Sequence, residues 1–117
     1  MQNSGMIQNS EESLYYKSRV ERIKEYVAAN LAGDLSIGTV AGKFELNKIT
    51  LSHVFKKQQH ETYREYVERI RMDKALHLLK EGKWVKEVIP ATGYRNWSTF
   101  NIAFKKRYKY PPGFFKN

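Results

Sequence analysis

Two stretches of this chain carry the same residue pattern at an almost constant spacing. Ala41, Glu45 and Leu46 stand 48 residues before Ile89, Gly93 and Tyr94, while Leu51, Phe55, Lys56 and Lys57 stand 49 before Phe100, Phe104, Lys105 and Lys106. The step from 48 to 49 puts one extra residue into the second copy, ahead of its last apolar segment. A repeat of this length within 117 residues predicts two small units of one design, each burying its own apolar residues. In both copies an apolar pair at i, i+4 precedes two lysines, the spacing of a helix with a buried stripe and a cationic outer side.

Beyond an N-terminal tail, the rest of the chain reads as a series of helices. Residues 1–17 are rich in Gln, Asn, Ser and Glu and show no apolar periodicity before Leu14, so they are expected to form a flexible tail or linker. From Ser18, Val20, Ile23, Val27 and Leu31 recur at helical spacing as far as Gly33. Ser36 is positioned to cap a short helix that turns Ile37, Val40, Ala41 and Phe44 inward, and Asn47 to cap the next, with Leu51, Val54 and Phe55 inward. Two short helices about one tight turn give a helix-turn-helix over about 36–58. Thr62 and Glu65 form a capping-box pattern that opens a long helix over about 62–81, with Tyr66, Ile70, Ala75, Leu78 and Leu79 as its apolar stripe and Gly82 as its stop. A second helix-turn-helix follows over about 84–108. It carries Val85, Val88 and Ile89, then the turn TGYRN, then Asn96 as cap of a helix with Phe100, Ala103 and Phe104 inward. Pro111 and Pro112 end it. The fold class is all-α, with two helix-turn-helix units joined by one connecting helix.

Charge follows the repeat. The net charge is +9, and it is unevenly placed. Leu46 to His60 holds three Lys and no acid, and Arg95 to Asn117 holds six Lys or Arg and no acid, whereas Glu61 to Glu81 balances five acids with five bases. Two cationic blocks on two equivalent helices suit an anionic, extended partner. The chain has no Cys, which removes disulfides, thiolate nucleophiles and Cys-based zinc sites. His53, His60 and His77 show no HExxH arrangement and there is no glycine-rich phosphate loop. No catalytic residue, metal or cofactor is therefore expected. No apolar run approaches a membrane span and the start has no apolar signal-peptide core, so a cytoplasmic protein without a membrane partner is expected.

The segments LSIGTVAGKFELNKITLSHVFKK, YREYVERIRMDKALHLL and EVIPATGYRNWSTFNIAFKKRYKYPPGFF together resemble the DNA-binding domain of the AraC/XylS family of bacterial transcription regulators. The likeness runs from about Val20 to Lys116. It implies about seven helices over 18–117, with two recognition helices entering successive major grooves of double-stranded promoter DNA. It implies base reading by Ile49, Ser52 and His53 in the first unit and by Trp97, Ser98, Asn101 and Ile102 in the second. Phosphate contacts would fall to Lys48, Thr50, Lys56, Lys57, Lys105 and Lys106. RNA polymerase is the further partner implied. The domain is expected to act as a monomer, with any dimerisation of a longer regulator through a region outside these residues. This sequence departs from the family pattern at Glu45, His60 and Lys109, where Gly is usual. It departs also at Trp84, in place of a capping residue, at Ile89 and Pro90, and at Ile102, where Arg is frequent.

The residue chemistry fits those roles. An Asn amide pairs with adenine through two heads, Ser donates or accepts, Ile and Trp meet a thymine methyl, and Lys suits phosphate as a point charge. Plainer roles stand beside these. The lysine pairs also suit helix C-termini, Trp97 can pack in its turn, Ile49 and Ile102 can be core edges, and His53 can be an ordinary surface residue. A basic helical module that docks RNA or protein is the alternative function. No RNP or KH pattern accompanies it.

Overall fold

The computed structural model describes residues 2–117, with side chains from Glu11 onward. Among the described residues six α-helices run in the order α1 (Gln2–Ala29), α2 (Ile37–Lys43), α3 (Lys48–Gln59), α4 (Tyr63–Lys80), α5 (Val85–Ala91) and α6 (Trp97–Tyr108). A 3-10 turn at Pro112–Phe115 makes a seventh helical element, and no strand occurs among the described residues. The chain divides into two compact units, the first holding α1, α2 and α3 and the second holding Asn30–Leu35 and Arg64–Asn117.

In the first unit α1 and α2 both pack on α3. The helical spacing of Val20, Ile23 and Val27 buries all three, together with Val40 and Ala41 of α2 and Leu51, Val54 and Phe55 of α3. The Phe55 ring meets Tyr63 edge to face at 5.5 Å, a favoured arrangement of ring quadrupoles. Phe44 is half-buried, against Tyr26 at 5.9 Å.

The start of α1 departs from the sequence expectation. The tail was expected to reach Lys17 and the helix to start at Ser18, but α1 begins at Gln2; Met1 lies outside the described residues. Residues 11–17 are helical and mostly exposed. Glu11, Glu12, Leu14 and Lys17 are good helix formers, and extending a helix already nucleated by a packed segment adds one hydrogen bond per residue fixed, with no apolar stripe required. At its other end α1 stops at Ala29, before the Gly33 expected to end it, and the Gly33 N–H returns to the Asn30 carbonyl at 2.9 Å.

The second unit closes around Met72, Ala75 and Leu79 of α4, Val88 and Ile89 of α5, and Phe100 and Phe104 of α6. The α4 stripe differs from the expected one. Tyr66, Ala75 and Leu79 are buried as expected, but Ile70 and Leu78 are only half-covered and Met72 is fully buried in the core. Met72, Ala75 and Leu79 keep the three- and four-residue spacing of one helix face, and an unbranched thioether fills an irregular gap well. Gly82, at φ +95°, ends α4 with the Lys83 N–H bonded to the Leu78 carbonyl at 3.1 Å, the left-handed stop its position predicts.

The repeat is visible in the hydrogen bonds. Within the first turn the Leu46 N–H donates to the Ala41 carbonyl at 2.9 Å, and within the second the Tyr94 N–H donates to the Ile89 carbonyl at 3.0 Å. Asn47 Oδ1 accepts from the Thr50 N–H at 2.7 Å, and Asn96 Oδ1 from the Thr99 N–H at 2.9 Å. α3 ends on His60 at φ +61° and α6 on Lys109 at φ +71°, each N–H returning to a lysine carbonyl, Lys56 and Lys105. Glu45 also takes positive φ, +58°, where the second turn has Gly93 at +88°. All three residues that stand in place of the family's Gly thus keep the left-handed backbone, at the steric cost that Gly avoids.

Two other caps are built differently. Ser36 makes no side-chain bond to the α2 backbone and donates instead to the Thr39 hydroxyl at 2.9 Å. At α5 the Trp84 indole has no acceptor to offer, and the Glu87 carboxylate reaches back to the Trp84 N–H at 3.0 Å. Pro90 lies in the last turn of α5, one residue before the helix ends. The buried Thr92 behind it donates its hydroxyl to the Val88 carbonyl at 2.8 Å.

Candidate nucleic-acid interface

The Asn47 cap fixes where α3 starts, and with Leu51, Val54 and Phe55 buried the opposite side must face out. Lys48, Ser52, His53, Lys56 and Lys57 are exposed there, and Ile49 is 77% exposed. Thr50 is half-buried, its N–H engaged by the cap. On α6 the Asn96 cap and the buried Phe100 and Phe104 impose the same division. Ser98, Lys105 and Lys106 are exposed, Trp97 is 57% exposed and Ile102 69%. The exposure of Ile49 and Ile102 rules out their reading as core edges.

Asn101 differs from its neighbours. It is half-buried, and its Oδ1 is enclosed without a hydrogen-bond partner. A two-headed contact to adenine would require this side chain to turn its Oδ1 outward.

α3 and α6 each line a groove within their own unit, and the grooves correspond. One, of about 790 Å³, includes Ile37, Lys48, Ser52 and Thr62 in its walls; the other, of about 430 Å³, includes Val85, Trp97, Asn101 and Pro111. These are the same four positions of the repeat. The outer faces of α3 and α6 are thus continuous with the starts of the short helices α2 and α5 that precede them. Ile37, Thr62, Val85, Lys86 and Pro111 were not among the sequence candidates. The 48- and 49-residue offsets relate Ile37 to Val85 and Thr62 to Pro111, a signal that was available but was used only for the turns and the lysines.

Arg95 is the residue added to the second turn, and it is exposed immediately ahead of the Asn96 cap. It places a guanidinium next to α6 that the sequence candidates omit. Among the described residues no group of His, Asp and Glu is arranged to hold a metal ion, and no helix is long and apolar enough to cross a membrane.

Residues 40–117 match the helix-turn-helix domain family. The chain belongs to the AraC-type helix-turn-helix family. The chain is similar to the Msm operon regulatory protein of Streptococcus mutans, 25% identical over 101 residues, which cover 86% of this chain and 36% of that protein. The regulatory protein PocR of Salmonella typhimurium is 29% identical over 98 residues, 83% of this chain and 32% of that one. The chain thus spans about a third of the length of these two relatives. Among solved structures, the C-terminal domain of AraT, a response regulator from Geobacillus stearothermophilus, superposes with a TM-score of 0.80 at 26% identity, covering 84% of this chain and 83% of that one. These three proteins are regulators by name.

Proposed function

We propose that this chain binds double-stranded DNA with sequence specificity, places α3 and α6 in successive major grooves, and so regulates transcription of the promoters it occupies. The observation that carries this reading is the duplicated outer face. Two equivalent capped helices bury one side and turn an acid-free, lysine-bearing side outward. Exposed Lys48, Lys56, Lys57, Lys105 and Lys106, with Thr50 beside its cap, are assigned to phosphate and set the docking. Ile49, Ser52, His53, Trp97, Ser98, Asn101 and Ile102 are assigned to base edges. Two successive grooves lie about 34 Å apart, so one chain takes a bipartite, non-palindromic site. RNA polymerase is the partner that promoter occupancy would bring within reach.

The test is selection of duplexes from a random-sequence pool by the whole chain, followed by anisotropy titrations on the selected duplex, on scrambled duplex and on RNA of the same sequence. A preference for the selected duplex and a one-to-one complex in sedimentation support the reading. Equal affinity for duplex RNA would replace it with the RNA-docking alternative.

A further inference from the structure

Resting on that reading of α3 and α6, we infer that each recognition helix selects its half-site through a pyrimidine 5-methyl group in the major groove, met by Ile49 in the first unit and by Ile102 in the second. Of the large hydrophobic residues exposed among the described residues, these two are the most exposed, at 77% and 69%. A β-branched residue on an exposed helix face contributes neither helix propensity nor core burial, so neither isoleucine serves its own unit. Ile49 stands among polar and cationic residues on α3, and Ile102, the more exposed of the two large apolar residues on the outer side of α6, shares that side with Trp97, Ser98 and two lysines. Lys48 precedes Ile49 and Lys56 and Lys57 line the same groove, while Lys105 and Lys106 follow Ile102. A polyanion drawn to those lysines brings base edges against the same face, and the one apolar group a base pair presents in the major groove is the pyrimidine 5-methyl.

The two isoleucines are not equivalent in the repeat. Ile49 is the second residue of α3, a position held in α6 by Ser98; Ile102 is the sixth residue of α6, a position held in α3 by His53. The apolar group thus sits one turn further along the second helix, a displacement of about 6 Å at 1.5 Å per residue. The two half-sites therefore require the methyl at different positions relative to their helices, and a single chain distinguishes one half-site from the other and fixes its direction on the duplex.

The experiment uses the whole chain and its selected duplex. Each thymine of a half-site is replaced in turn by deoxyuridine, which removes the methyl and nothing else. The result expected is one position per half-site at which binding weakens about fourfold, the factor that matches about 0.8 kcal/mol for one methyl-sized group. In Ile49→Ala the loss should vanish in the first half-site alone, and in Ile102→Ala in the second alone. A guanine paired with 5-methylcytosine at the sensitive position separates the two sources of the methyl. Recovery relative to unmethylated cytosine supports reading of the methyl whatever the base, and no recovery supports reading of thymine. Deoxyuridine without effect at every position, on a duplex the chain still prefers, overturns this inference and leaves DNA binding standing. Failure to select any duplex overturns the functional reading itself. The deoxyuridine arm uses the unaltered protein, so a folding defect in either variant does not obscure it.

Discussion

The Leu31 carbonyl oxygen occupies the space where the first side-chain atom of residue 93 would stand, so Gly93 can be nothing larger. The same oxygen accepts from Arg71 Nε at 3.3 Å, and Gly93 lies at φ +88°. Space and backbone thus impose the same residue. Gly93→Ala is expected to destabilise the second unit by at least about 2 kcal/mol. Gly42→Ala has open space around it in α2 and is expected to stabilise by about 0.5–1 kcal/mol. Urea denaturation midpoints compare them, and a fall of less than about 0.5 kcal/mol for Gly93→Ala would contradict the account.

Relief of left-handed strain gives the opposite sign. His60 and Lys109 hold positive φ at equivalent helix ends, where glycine has no Cβ to crowd the carbonyl. His60→Gly and Lys109→Gly are each expected to stabilise by up to about 1 kcal/mol, less the unfolded-state entropy that glycine adds. Thermal melts of the two variants measure this, and two lowered midpoints would show that the native side chains contribute more than their strain costs.

Both asparagine caps and the helices α3 and α6 were legible because a capping residue and a fixed apolar spacing are local chemistry. Asn47→Ala and Asn96→Ala should each cost about 1 kcal/mol, within a range of about 0.5–2, and chemical denaturation will show whether Ser36→Ala, which breaks no side-chain bond to the α2 backbone, costs less. What stayed illegible was set by three-dimensional neighbours. The early start of α1 needs no apolar stripe. Met72 displaced the expected α4 stripe because packing with Val88 and Phe100 decides which side is inward. Asn101 carried the right residue type for a base reader, yet the burial of its Oδ1 is fixed by its surroundings in the fold.

Alkaline pH should loosen the second unit through Tyr94. Burial, chiefly, and the Glu68 carboxylate raise its pKa above the ordinary 10.0, with Arg71 opposing. Below pH about 10 the proton is held in folded and unfolded chains alike and the phenol's contribution is fully present. As pH rises, the unfolded chain gives up the proton first, and that contribution is lost through the folded pKa. Tyr94→Phe keeps the ring that meets Phe100 edge to face at 5.5 Å. Between pH 9 and about 11 the variant should therefore lose less stability than the unaltered chain in denaturant titrations. Parallel losses would acquit this group.

Lys105 and Lys106 are assigned two physical roles that salt separates. As cations in the last turn of α6 they complement the helix dipole, worth about 0.3–1 kcal/mol each to the fold. As phosphate contacts they release counterions on binding, about 0.9 per contact on B-form DNA. Replacing both with Ala should lower thermal stability slightly and should also reduce the slope of log affinity against log salt by up to about 1.8. The loss of affinity should be comparable on selected and scrambled duplexes, because a phosphate carries no sequence. Ser98→Ala, on the same face without a charge, should leave the slope unchanged and act on the selected duplex alone. Titrations at four salt concentrations measure both quantities. An unchanged slope in the double variant would confine the two lysines to the helix end and remove the second unit's phosphate assignment.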